Sequence, residues 1–276
     1  MKTLSIVILS YNVKKLLLDC LKSIPSHKDW EIIIVDNASI DGSDKLATIK
    51  NKTNTGFAAG NNIGIKKAKG KYILLLNPDT IVRPKTIETV LEYMQSHPDV
   101  GAATCRVELP DGSLDYSCHR GFPNPWNSLM HFLRLRSSYS LKNIPDTTHE
   151  IDALTGAFAL VRRPAGDQVG WLDEDYFWNG EDIDFCYKLK EAGWKVMYIP
   201  DVKITHFKGS SAKATKDTRR KWATDSTQVM ELFYKKHLAQ KYPFIINWLV
   251  YLGIRLLKKR RLLLVKKGVS LKESPI

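Results

Sequence analysis

The chain has 276 residues, 43% apolar and 26% charged, enough for one large α/β domain with an appendage. Its net charge of +13 is concentrated at one end: residues 203–276 carry 18 Lys/Arg against 4 Asp/Glu, whereas residues 1–202 carry 24 against 25. That distribution argues against a nucleic-acid binder, which would spread a basic face along its main domain, and favours a tail that meets anionic lipid.

Met1 to Tyr11 is a short apolar run that soon meets Asn12, Lys14 and Lys15, too short for a signal-peptide core. Within it Leu4–Leu9, rich in Ile and Val, reads as a strand buried on both faces. Leu16, Leu17, Cys20, Leu21 and Ile24 then recur at helical spacing. Glu31–Val35 is the next strand and ends in Asp36. Asp41-Gly42-Ser43 is turn chemistry, and Phe57 to Lys69 reads as a helix. Tyr72–Leu76 is a further strand, Pro84 can open a helix reaching about Ser96, and Val100–Cys105 is a short strand. Residues 108–150 are rich in Pro, Ser, Asn and Arg without a period, as expected of an ordered but irregular excursion over one face of the sheet, or of a mobile one. Regular structure resumes at Ile151–Val161. Glu181–Ala192 reads as a helix closed by Gly193, and Lys195–Ile199 as the last strand. Strands alternating with helices at this spacing predict an α/β fold, a mostly parallel central sheet with helices on both faces.

Past Lys208 the composition changes. Residues 215–238 look helical. Phe244–Leu257 is mostly apolar but is interrupted by Asn247, Gly253 and Arg255, and Lys258-Lys259-Arg260-Arg261 follows. A spanning helix needs about 20 apolar residues without such breaks. The expectation is a segment lying in a membrane interface, with a soluble helix packed on the domain as the alternative. The boundaries are therefore 1–210 for the main α/β domain and 211–276 for a basic helical extension. The four scattered cysteines (Cys20, Cys105, Cys118, Cys186) form no CxxC pair. They fit reduced, buried thiols of a cytoplasmic protein.

Three pieces carry the chemistry. Leu74–Leu76 ends abruptly in Asn77-Pro78-Asp79-Thr80, and ligands of α/β proteins collect at the carboxyl ends of parallel strands. Asp36 is a second carboxylate at a strand end. Gly180-Glu181-Asp182-Ile183-Asp184 places three acids in a first helical turn, where the helix dipole favours them in any protein. Crowded behind Trp178, they would repel one another at a purely structural cap, and one of them could take a proton from a hydroxyl. His206 follows a strand. With Asp79 and the oxygens of a diphosphate it could complete an octahedral Mg²⁺ or Mn²⁺ site.

These stretches, together with Ser5-Ile-Val-Ile-Leu-Ser-Tyr-Asn12, Val35-Asp-Asn-Ala-Ser-Ile-Asp-Gly-Ser43, Asn54-Thr-Gly-Phe-Ala-Ala-Gly-Asn-Asn-Ile-Gly64 and Thr155-Gly-Ala-Phe158, resemble glycosyltransferase family 2 in order and spacing over residues 3–210. This is the inverting GT-A group, and the likeness is greatest to its bacterial rhamnosyltransferase-like branch. The resemblance implies a nucleotide-sugar donor, dTDP- or UDP-linked, and a glycan or polyprenyl-diphosphate-linked acceptor at the inner face of the cell membrane. It implies that Tyr11 and Asp36 meet the nucleotide's ribose and pyrimidine, and that Asn77 and Asp79 stand where the family has its DxD motif. Asp79 and His206 would be metal ligands and Asp182 the catalytic base. Gly156, Trp178 and Glu181 would line the acceptor side. Asn77 replaces the first acid of that motif and removes one negative charge. dTDP-L-rhamnose is the first choice of donor; UDP-hexose and UDP-galactofuranose are the alternatives. A sugar nucleotidyltransferase would need a Gly-rich phosphate loop after the first strand, where Ser10-Tyr11-Asn12-Val13 has no glycine. A non-enzymatic basic protein binding membrane or nucleic acid would leave the acids without a purpose.

Overall fold

The computed structural model describes residues 2–127, 144–177, 179–208 and 216–266. The strands are β1 (Leu4–Ser10), β2 (Trp30–Asp36), β3 (Ile49–Lys50), β4 (Tyr72–Leu76), β5 (Thr80–Val82), β6 (Val100–Glu108), β7 (His149–Glu150), β8 (Phe158–Arg162) and β9 (Lys195–His206). They form one sheet in the order β3-β2-β1-β4-β8-β6-β9-β5, with β7 also paired to β9. The helices are α1 (Lys14–Ser23), α2 (Phe57–Lys67), α3 (Thr86–Ser96), α4 (Arg163–Val169), α5 (Glu181–Glu191), α6 (Lys216–Phe233) and α7 (Phe244–Lys266).

β1, β2, β3 and β4 are mutually parallel, as are β6 and β9. β8 runs antiparallel between β4 and β6, so the carboxyl ends of β2, β4, β6 and β9 all open on the rim where β8 begins. The central strands are apolar because they are buried on both faces: every residue of β1 and β4 is buried. Leu9, Ile33 and Val35 face α2, where Phe57 and Ile63 cover them. α3 begins at Thr86, two residues after Pro84, because Lys85 sits in the left-handed region with φ 63°.

Pro200 lies inside β9. The pairing of β9 with β6 slips between Ile199 and Lys203, so the proline faces no ladder partner and the strand resumes beyond it.

The C-terminal region is helical. α6 leads into a π-helical turn, Tyr234–Leu238, and α7 then runs unbroken through Gly253 and the basic run. His237 Nε2 lies 2.6 Å from Asp184 Oδ1 on α5, and Lys188 Nζ lies 3.3 Å from the other oxygen of that buried carboxylate. Arg261 on α7 is buried and donates to Ser226 Oγ of α6 at 2.7 Å. Gly180, at φ +89°, packs so closely on Val229 of α6 that a Cβ there would collide with it.

His237→Ala removes one of the two partners of a buried carboxylate. The expected loss is about 1–3 kcal/mol of stability. It should read as a fall of several degrees in Tm, with far-ultraviolet circular dichroism unchanged; a Tm within one degree of wild type would show that the contact adds nothing.

Candidate active site

The turn after β1 and the end of β2 are stapled side by side. The Asn12 amide donates to Ser39 Oγ at 2.9 Å, and Asn12 Oδ1 accepts from the Ile40 amide at 2.8 Å. Asp36 is 1% exposed. Its Oδ2 accepts from the Ser39 amide at 2.9 Å, while Oδ1 is buried without a hydrogen-bond partner among the described residues. Asn37 draws the loop 51–56 onto the strand end: its Oδ1 accepts from the Thr55 amide at 3.0 Å and its Nδ2 donates to Asn54 Oδ1 at 2.9 Å. Tyr11 is 38% exposed beside this corner.

Asp79 and His206 meet because β5 pairs with β9 in a register that sets Thr80 opposite His206. His206 Nε2 is 3.3 Å from Asp79 Oδ1, and Nδ1 is 3.3 Å from Asp115 Oδ2. Lys208 Nζ sits 3.2 Å from Asp115 Oδ1. Burial pushes the imidazole toward neutrality, but the hydrogen bonds of Asp115 and Asp79 outweigh it and raise His206 to about 9. Burial acts against the Asp115 anion too; His206 and Lys208 overcome it and hold that carboxyl well below the usual range.

The acids of α5 diverge. Asp182 Oδ2 accepts from Arg120 at 2.5 Å and lies 3.4 Å from the Gly156 amide, while Oδ1 accepts from the Ile183 amide at 2.8 Å. The same Arg120 nitrogen reaches the Leu154 carbonyl at 2.5 Å. Asp184 points the other way, to His237 and Lys188. Glu181 is 5% exposed, its Oε2 has no hydrogen-bond partner among the described residues, and burial together with the Asp182 charge raises its pKa well above the usual range. That shift favours the neutral form and so lessens the repulsion expected of three clustered acids.

The two halves are bridged. The Asn77 amide donates to the Ala157 carbonyl at 3.1 Å, one residue from Gly156, and the Phe57 amide donates to the Phe177 carbonyl at 2.8 Å. Asp36, Asn77, Asp79, Gly156, Glu181, Asp182 and His206 thus all stand at one rim of the sheet. Trp178 lies outside the described residues. Sequence reasoning missed Asp115, Arg120, Lys208 and His237. Asp115 and Arg120 fall in the stretch without period, and only the fold reveals their partners.

As a cation site, Asp79 and His206 supply one carboxylate and one imidazole. Among the described residues no group of three or more His, Cys, Asp or Glu is arranged around a common ion position. A ligating imidazole is neutral, so a cation here would displace the proton that Asp115 and Asp79 favour on His206; with that proton gone, the carboxylate–imidazole pair fits a Mg²⁺ or Mn²⁺ ion. A carboxylate behind the imidazole, here Asp115, is the usual orienting partner of a ligating histidine.

A mixed α/β sheet with loops gathered at its carboxyl rim and acids at a neighbouring helix start fits the GT-A class of sugar-transferring folds. Solved structures agree. The mannosyltransferase PcManGT from Pyrobaculum calidifontis, in complex with GDP-Man and Mn²⁺, superposes with a TM-score of 0.59 at 17% identity over 99% of this chain and 76% of that one. GalNAc-T7 with UDP, GalNAc and Mn²⁺ gives 0.60 at 18% identity over 88% of this chain, which spans about half (52%) of that longer chain. The family model for glycosyl transferase family 2 matches residues 5–165, and the chain belongs to that family. Among curated relatives it is 26% identical over 216 residues to the N-acetylglucosaminyl-diphospho-decaprenol L-rhamnosyltransferase of Mycobacterium tuberculosis (strain CDC 1551 / Oshkosh), covering 68% of this chain and 70% of that protein. It is 30% identical over 181 residues to the rhamnosyltransferase WbbL of Escherichia coli (strain K12), covering 62% and 68%.

Arg120→Met leaves the half-buried Asp182 carboxylate without its cation. The expected outcome is a Tm lowered by several degrees, equivalent to about 1–3 kcal/mol, with nucleoside-diphosphate binding within twofold of wild type by calorimetry. Loss of nucleotide binding instead would place Arg120 at the donor.

Proposed function

We propose that the chain is an inverting glycosyltransferase of cell-surface polysaccharide synthesis. It would move a hexose, L-rhamnose from dTDP-L-rhamnose as first choice, onto a hydroxyl of a glycan or polyprenyl-diphosphate-linked acceptor at the inner face of the membrane. The carrying observation is the bridged rim: Asn77 joined to Ala157, and Gly156 joined to Asp182, set a nucleotide corner beside a helix-start carboxylate. The names of the mycobacterial and Escherichia coli relatives support the rhamnosyl choice; UDP-hexose and UDP-galactofuranose donors are the alternatives.

In this reading Asp36 Oδ1, buried and unpartnered, accepts from the N3–H of uracil or thymine, a donor that cytosine lacks. Tyr11 flanks the base and ribose. Asn77 hydrogen-bonds to ribose or to a water, and Asp79 and His206 hold a divalent ion. When bound, that ion supplies positive charge opposite the diphosphate. Asp182 takes the proton of the acceptor hydroxyl as its oxygen bonds to the anomeric carbon. The bond from that carbon to the diphosphate oxygen breaks, and its electron pair leaves with the nucleoside diphosphate. Attack from the opposite face inverts the centre. Glu181, with Gly156 and Trp178, belongs to the acceptor side.

The test is a screen of nucleotide sugars with release of dTDP or UDP as readout. Asp182→Asn should lower turnover by at least about 10³-fold while donor affinity stays within threefold; turnover retained by that variant would remove Asp182 from the base role. Asp79→Asn should abolish the thermal stabilisation that nucleoside diphosphate plus Mn²⁺ gives the wild type. Equal stabilisation of the two proteins would rule out Asp79 as a ligand.

A further inference from the structure

α7 is one helix with two opposite faces. Arg261 and Val265 are buried, and Val250 and Tyr251 pack on the main core. At roughly 100° per residue, the opposite side carries Ile245, Leu249, Leu252, Leu256 and Leu263, flanked by Phe244 and Trp248. All seven are exposed: Phe244 by 82%, Ile245 by 65% and Trp248 by 54%. Lys259, Arg260 and Lys266 are exposed along the C-terminal half of the same stripe, and Arg255 lies at its edge. The helix contains no acidic residue. Among the described residues no helix is long and apolar enough to cross a membrane. Of the four clustered cations at 258–261, Arg261 is buried and pairs with Ser226, so it is not available to a surface. Among the described residues, α7 packs on the protein along one face and leaves the other exposed.

We propose that this outward stripe seats the protein on an anionic bilayer, with Phe244 to Leu256 in the headgroup–acyl boundary and Lys259, Arg260 and Lys266 among the lipid phosphates. The proposal rests on the function above, in that a polyprenyl-linked acceptor draws the enzyme to a membrane. Charge decides the occupant. A second copy docked on the stripe would bring cations against cations or against leucines with no counter-charge, whereas anionic headgroups neutralise them. An interfacial helix with exposed aromatic and aliphatic residues on one side and flanking Lys/Arg is the pattern that lies in, rather than across, a bilayer. The exposed apolar part, residues 245–256, is about 16 Å long, room for contact with a surface and far short of a span.

Deleting the tail is a poor test, because it uncovers α6 around Ser226. Point changes on the exposed stripe leave the packing alone. The full chain is mixed with vesicles of phosphatidylcholine alone or with phosphatidylglycerol, and sedimented. The wild type should partition at least about tenfold more strongly onto anionic vesicles. Trp248→Ser/Leu252→Ser and Lys259→Glu/Arg260→Glu should each lose at least about tenfold of that binding, with Tm within two degrees of wild type. Wild type remaining in the supernatant, or both variants binding as wild type, overturns the proposal. So does a dimer, seen by sedimentation equilibrium, that Leu252→Ser dissolves while vesicles bind nothing; it would assign the stripe to a second copy. Sugar transfer to a water-soluble acceptor analogue is measured on the same samples. Transfer without vesicle binding sinks the membrane inference alone, and vesicle binding without any transfer sinks the enzymatic reading alone.

Discussion

The amide of Asn77 and the carbonyl of Ala157 meet where β4 ends and β8 begins, and the site depends on that meeting. β8 is the antiparallel strand inserted between two parallel blocks. Its direction turns the residues before it, Thr155 to Ala157, toward the same rim as the carboxyl ends of β2, β4 and β9. A parallel β8 would have delivered Gly156 to the far rim, and Asp182, which the Gly156 amide approaches, would have followed a different path. A single reversal of strand direction thus brings the corner at the ends of β1 and β2 and an acid-bearing helix to one edge.

Electrostatics at that edge is arranged by pairing and by neutralisation. Asp182 has Arg120, Asp184 has His237 and Lys188, and Asp115 has His206 and Lys208. Glu181 is buried beside Asp182, and burial together with that charge raises its pKa well above the usual range, which is how a buried carboxyl beside another acid is tolerated. Asp36, like Glu181, has one oxygen buried with no hydrogen-bond partner among the described residues. A buried acceptor left open costs stability unless a ligand or water meets it.

β1 and β4 were legible in the sequence because burial on both faces writes an unbroken apolar run, and β2 because its Ile32-Ile33-Ile34-Val35 run is apolar although Ile32 is exposed. α5 was legible from its acidic start and Gly193. β3, β5 and β7 span two or three residues, too few to show any period, yet β5 is what carries Asp79 to His206. The reading of β9 stopped at Ile199 because Pro200 breaks a ladder; the shifted register that tolerates it is a tertiary fact. Asn77, Asp79, Asp182 and His206 announced themselves by position after apolar runs or at a helix start. Arg120 and Asp115 could not, since an irregular segment has no pattern and its partners lie 62 and 91 residues away. In α7 the apparent interruptions have separate reasons: Asn247 accepts from the Tyr234 hydroxyl at 2.6 Å, whereas Gly253 and Arg255 stand on the exposed side, where they break nothing.

The lopsided charge of this chain makes it an electric dipole on a molecular scale. With the first 202 residues near neutral and the remainder at +14, a negatively charged plane exerts a torque as well as a pull. Such a plane attracts the basic end more strongly than the rest of the molecule. Ionic strength sets the range of that torque, about 8 Å at physiological salt. Within that distance, orientation is decided by the field and not by repeated collision.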